Sequence, residues 1–297
     1  MHWSLLPWLL DRLGGDAWDV FHAGFGAMAT RYEALGLDQL LPIDRVWVGV
    51  RSTRDGAFGG FHHPDQGYRH LQMGAVVTRY GDLYSPAIPS AGLVALDLLR
   101  AYAHDCLHYG SHREYGLQGG EVVRTQYGFN RRTTAGRSYS APDPKGAATT
   151  RNLGVIMEGA TDREAAAIAR HAAHHLGIPI PDGTDQFAFL DATGQLTCET
   201  LSRLPRHGPG AGTPPTADRF LAAMGSYARS VNGRYRAFLG EIGERESDEL
   251  HVQITTAMIS GSVASLSAWL DIKRGPGAFA ALFRAASYDG PEPDGAA

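Results

Sequence analysis

The chain has 297 residues, 43% apolar and 20% charged, with a net charge of −4 and two cysteines, Cys106 and Cys198. That balance describes a globular protein of one large domain or two small ones. It gives nucleic-acid binding no electrostatic support and argues against a disulfide scaffold.

Met1 to Leu13 is apolar, with no positive segment and no small-residue cleavage site. It reads as an amphipathic helix with Trp3, Leu6, Leu10 and Leu13 along one side, not as a signal peptide. Trp18 to Leu35 forms a second predicted helix after the break at Gly14-Gly15. Asp44 to Arg51, with Val46, Trp47, Val48 and Val50, suits a buried strand. Ser52 to Gly60 is a turn-rich loop, and Tyr68 to Val77 is a second predicted strand. His62 and His63, beside Pro64, read as surface histidines.

The apolar run from Gly92 to Tyr115 carries the most informative stretch. Ser90 is a fit N-cap after Pro89, and Leu93, Leu96, Leu99, Ala103 and Leu107 recur at helical spacing. His104 and His108 are four apart, so their side chains stand one above the other on one face. Two imidazoles so placed can share a metal ion at about 2.0–2.1 Å each. Asp105 follows the first histidine, where the zinc-peptidase pattern H-E-x-x-H places its general base. Cys106 points about 200° away from His104 on the helix, which suits packing and not ligation.

Val122 to Phe129 and Arg132 to Tyr139 are predicted to pair as a hairpin, and Lys145 to Arg151 is a loop. Asn152 opens another amphipathic helix, with Val155, Ile156, Ala166, Ile168, Ala169, Ala172 and Leu176 as its apolar positions. Gly177 and Pro179 end it. Glu158 and Asp162 are four apart and share a face of this helix. Two histidines on one helix and Glu-x-x-x-Asp on the next make a His₂Glu site with a supporting carboxylate. His171, His174 and His175, further along, read as solvent-facing.

In these two motifs and the order of elements from Arg45 to Leu176, the chain resembles the gluzincin branch of the zincin metallopeptidases, the thermolysin-like type. The resemblance implies an α+β fold: a zincin-like domain with a small β-sheet before the metal-binding helix. It implies His104, His108 and Glu158 as ligands of one Zn²⁺, Asp162 as the partner of a ligand histidine, and Asp105 as the catalytic base. A peptide or protein substrate follows, aligned along Leu71 to Val77 by β-augmentation. The chain departs from the family at Asp105, which stands for glutamate and is one methylene shorter. His112, Tyr127 and His251 are further candidates to line the cleft, Tyr127 and His251 as oxyanion donors.

Two other readings use the same residues. His104-Asp105, with His70 and Asp162, is also similar to the HD-domain phosphohydrolases, which are all helical. The Asp-for-Glu change also fits a metal-binding interaction module without hydrolysis.

Residues 205–216, rich in Pro and Gly, read as a linker after a domain spanning 1–204. Ala217 to Gly240, Asp248 to Ile272 and Gly277 to Ser287 are predicted helices of a mainly helical extension, 217–288, which offers a surface for homo-oligomer contact. Asp289 to Ala297 reads as a disordered tail. Ile254 to Leu270 falls short of the roughly 20 apolar residues a membrane span needs, so no membrane partner and a cytoplasmic location are expected.

Overall fold

The computed structural model describes residues 2–51, 61–63, 68–72, 91–132, 140, 142–183, 185–203, 221–222 and 224–283. The predicted linker at 205–216, the tail at 289–297 and the Ser90 cap lie outside them. The described residues form an α+β protein, mostly helical, with two small sheets. Among them, no helix is long and apolar enough to cross a membrane.

The chain opens with a short strand, β1 (His2–Leu5), and not with a helix throughout. Helix α1 (Leu6–Leu13) begins only where Pro7 can occupy the first turn, a position whose N–H needs no partner. Helix α2 covers Gly15–Ala34. Strands β2 (Val46–Arg51), β3 (Phe61–His63) and β4 (Tyr68–Gln72) complete a sheet of order β1-β2-β4-β3. β4 runs parallel to β2, with Val48 opposite Leu71, and antiparallel to β3. β4 is therefore paired on both sides at Arg69 and His70 and with β2 alone at Leu71 and Gln72 among the described residues; 73–77 of the stretch expected to align a peptide lie outside the described residues.

Helix α3 (Ala91–Gly110) follows the sheet. It is apolar on nearly every side, as a helix enclosed by its neighbours must be. Leu93, Val94, Leu96, Leu98, Leu99 and Leu107 are all buried. α2 lies against it, with Phe21 and Phe25 beside the Tyr102 ring. The Tyr32 hydroxyl donates to the Ala103 carbonyl at 3.1 Å, and the Tyr102 hydroxyl to the Leu41 carbonyl at 2.6 Å. The helix stops at Gly110, short of the expected Tyr115. The side chain of Leu37 occupies the space a Cβ at Gly110 would need.

β5 (Arg113–Gln118) and β6 (Glu121–Tyr127) then form a hairpin, with β7 (Asn130–Arg131) on the far side of β6. β6 is thus paired on one side with the segment before it and on the other with Asn130–Arg131, and the Arg132 N–H donates to the Thr125 carbonyl at 2.8 Å; 133–139 of the expected partner lie outside the described residues. The turn is Gly119-Gly120, with φ of 57° and 89°. Two successive positive φ values match the twist of a tight hairpin, and glycine adopts them without strain.

Helix α4 (Leu153–His175) starts as Asn152 foretells. The Asn152 side-chain oxygen accepts the Val155 N–H at 3.1 Å, and Ser140 Oγ accepts the Leu153 N–H at 3.1 Å. It ends in a Schellman pattern, Ile178 N–H to the Ala173 carbonyl at 2.9 Å and Gly177 N–H to the His174 carbonyl at 3.2 Å. Helices α5 (Asp185–Ala192) and α6 (Cys198–Arg203) follow.

The described remainder of the C-terminal part is helical. A π-helical stretch, Ala228–Gly233, runs into α7 (Arg234–Gly243). The predicted single helix over Asp248 to Ile272 is two: α8 (Ser247–Ser260) and α9 (Ala264–Arg274), with α10 (Ala278–Phe283) after them. Gly261 makes the break. Its φ is 73°, its N–H caps the Ala257 carbonyl, and a Cβ there would lie 2.3 Å from the His112 ring.

Contacts divide the chain into two compact units. One holds 1–33, 38–109 and 162–229, and the other holds 34–37, 110–161 and 230–297. Helix α4 is continuous through both ranges. Within the second unit, Leu153, Ile156, Met157 and Ala160 share one core with Tyr235, Phe238, Ile254, Met258 and Leu270. The C-terminal helices therefore share a core with the first turns of the glutamate-bearing helix. At Gly159, a Cβ would lie 2.5 Å from Tyr235 Cβ, so glycine is what lets α4 and α7 approach this closely.

Candidate metal centre

On α3 the residues that escape full burial form a stripe. Arg100, His104 and His108 are half-buried at successive spacings of four, while Leu99, Ala103, Asp105, Cys106 and Leu107 are buried. The two imidazoles converge: His104 Nε2 and His108 Nε2 are 2.9 Å apart, with ring planes inclined at 67°. Bonds of about 2.0–2.1 Å to a shared ion would subtend about 90° at that spacing, and a separation of about 3.3 Å would give the tetrahedral angle. A small rotation of either ring covers the difference.

Glu158 supplies the third donor. His104, His108 and Glu158 each offer one ligand atom, and these atoms all lie within 4.8 Å of one another. Two imidazole nitrogens and one carboxylate oxygen are a donor set that suits a divalent transition metal such as zinc. With three protein donors, a tetrahedral site keeps one position open. The group can hold a metal ion, and its donor chemistry alone does not select which one.

One turn beyond Glu158, Asp162 stands behind His104. Its Oδ1 lies 3.5 Å from His104 Nδ1, within ion-pair range and longer than a well-formed hydrogen bond of about 2.7–3.2 Å. A carboxylate on that side favours the proton on Nδ1 and leaves Nε2 as the lone-pair donor. The same Oδ1 accepts a 2.6 Å hydrogen bond from Arg100 Nη2. Arg100 Nη1 donates to Asp191 Oδ2 of α5 at 3.2 Å. Burial alone would lower the Arg100 guanidinium, but Asp162 and Asp191 outweigh it and hold the group above its ordinary value. Asp191 is pushed up to about 6 by burial, against Arg100 and with help from Asp162 and Asp97.

The remaining candidates fall elsewhere. Asp105 is 2% exposed, less accessible than any of the three ligands. His112 is not a further turn of the first helix, because that helix ends at Gly110. It sits in the link to β5, its ring against Gly261, its N–H donating to the Met258 carbonyl at 3.0 Å and its Nε2 3.3 Å from Glu114 Oε1. Tyr127, on β6, lies under the guanidinium groups of Arg113 and Arg124, at 5.4 and 4.8 Å. His251 is a core histidine, 3% exposed, with Nδ1 2.7 Å from the Tyr235 hydroxyl. Cys106 is buried and packs as expected, and His171, His174 and His175 are exposed.

Arg100 and Asp191 were not among the residues the sequence singled out. Extending the four-residue stripe backwards from His104 reaches Arg100. No comparable signal marks Asp191, which arrives from a weakly patterned segment. No protein-family profile, curated protein or solved structure matches the chain.

Proposed function

We propose that the protein is a zinc-dependent hydrolase, with peptide bonds as its substrate class and a site that resembles that of the gluzincins. One observation carries this reading: ligand atoms of His104, His108 and Glu158 lie within 4.8 Å of one another, with the Asp162 carboxylate behind His104. When bound, Zn²⁺ supplies Lewis acidity and brings the pKa of a coordinated water toward about 7. His104 and His108 contribute neutral Nε2 lone pairs, and Glu158 contributes one carboxylate oxygen. Asp162 keeps the His104 proton on Nδ1. Asp105 accepts the proton of the attacking water on a carboxylate oxygen and returns it to the leaving amine.

The burial of Asp105, at 2% exposed, favours a second reading. A base must come within about 2.6–3.2 Å of the proton it takes, and this one is both enclosed and a methylene shorter than glutamate. A metal-binding interaction module without turnover is consistent with that. The HD-domain alternative needs His70 on a helix, whereas His70 lies in β4.

The test is a broad peptide library assayed with wild type, Asp105→Ala and Asp105→Glu, each with its zinc content measured. Weak cleavage by wild type, loss in Asp105→Ala with zinc retained, and equal or greater cleavage by Asp105→Glu are expected. Zinc in all three and cleavage by none would discard hydrolysis in favour of the interaction module.

A further inference from the structure

Arg100 lies one turn before His104 on the half-buried stripe of α3, and its guanidinium bridges two carboxylates from two other helices. Nη2 binds Asp162 Oδ1 of α4 at 2.6 Å and Nη1 binds Asp191 Oδ2 of α5 at 3.2 Å. The atom it holds on α4 is the same oxygen that faces His104 Nδ1. We propose that Arg100 is a positioning residue of the metal centre: it fixes Asp162, and through Asp162 the ring of His104. This inference rests on the reading of His104, His108 and Glu158 as metal ligands.

Arg100 acts on the orientation of that carboxylate. An aspartate side chain has two free torsions, and rotation about either would carry Oδ1 away from the imidazole. A charge-assisted bond from a rigid, planar donor removes that freedom. The guanidinium is itself fixed at its other end by Asp191, so the order passes from α5 through α3 to α4. Lysine would be a poor replacement, because an ammonium is a compact point charge without the fixed planar fork that reaches both carboxylates here. Stability alone is a poor explanation for the cluster. Buried ion pairs are often no more stabilising than apolar side chains of the same volume, and most of the buried side chains of α3 are apolar. A cluster of this kind beside a ligand histidine is better explained by the orientation it imposes.

The bland alternative is that Arg100 only ties three helices together. A double-mutant cycle on metal affinity separates the two. The full-length protein is stripped of metal and titrated with Co²⁺, reading apparent Kd and the visible d–d absorption, for wild type, Arg100→Gln, Asp162→Asn and the double variant. Near-ultraviolet circular dichroism of the metal-free proteins checks the fold. If Arg100 acts through Asp162, Arg100→Gln weakens Co²⁺ binding by about 10-fold or more, as loss of an outer partner of a ligand histidine does. It also changes the d–d band, and in the Asp162→Asn background its effect shrinks to within about twofold. Arg100→Lys should not restore wild-type affinity. Equal losses in both backgrounds, with an unchanged band, would overturn the inference and leave the metal-site reading standing. A wild type that binds neither Co²⁺ nor Zn²⁺ overturns both. Should Arg100→Gln fail to fold, the same cycle run with Asp191→Asn in its place decides the question by the same criterion.

Discussion

Asp191 makes stability depend on pH in a direction opposite to that of most carboxylates. It is 10% exposed at its side chain and sits 3.2 Å from Arg100. Burial raises it from its ordinary 3.8 to about 6, with Asp162 and Asp97 adding to the rise and Arg100 opposing it. Between about pH 4 and pH 6 the native state therefore holds a proton that the unfolded chain has lost. The slope of unfolding free energy with pH is set by protons bound unfolded minus protons bound native, which is negative in this window. Asp191 thus lowers stability as pH rises from about 4 to about 6. The gap of roughly two pH units, at about 1.36 kcal/mol each, bounds the effect at about 3 kcal/mol. Other carboxylates titrate over the same range, so the informative quantity is the difference between wild type and Asp191→Asn. Urea unfolding of both, metal-free, at pH 4, 5, 6 and 7 measures it. Wild type should lose stability relative to the variant as pH rises, with the change complete by about pH 7. A difference that stays constant, or that moves in favour of wild type, would refute the reasoning.

Three further outcomes follow from packing and hydrogen bonding. Gly159→Val should destabilise by about 1–3 kcal/mol or more, because its Cβ would lie 2.5 Å from Tyr235 Cβ; thermal or urea melts read it. Ile156→Ala, fully buried in the core shared with the C-terminal helices, should cost about 2–5 kcal/mol, and a loss under 1 kcal/mol would show that core to be loose. Tyr235→Phe removes the hydroxyl 2.7 Å from His251 Nδ1 and should cost about 1 kcal/mol, while leaving zinc content unchanged because His251 is a core residue and not a ligand.

The parts of the fold legible in the sequence were those governed by local spacing. The four-residue repeats at His104/His108 and Glu158/Asp162, the Asn152 cap and the strands at Val46 and Tyr68 all follow from chemistry within a few residues. Features set by contacts distant in sequence were not legible. The side chain of Leu37 in the space beside Gly110 and the His112 ring beside Gly261 come from residues distant in sequence. The opening strand is recruited by pairing with β2, Leu5 opposite Trp47, against a local pattern that suits a helix. His251 and Tyr127 carried the right functional groups for catalysis, and only the fold shows one enclosed in a core and the other beneath two arginines. Asp191 belongs to the same class: its role exists only because α5 brings it to Arg100.

The central claim is that the chain holds one metal ion through His104, His108 and Glu158. Elemental analysis of protein purified from zinc-replete expression, beside His104→Ala, His108→Ala and Glu158→Ala, tests it most directly. The account predicts about one equivalent of zinc in wild type and a sharp loss in each variant. Metal-free wild type, or zinc that persists in all three variants, would contradict it.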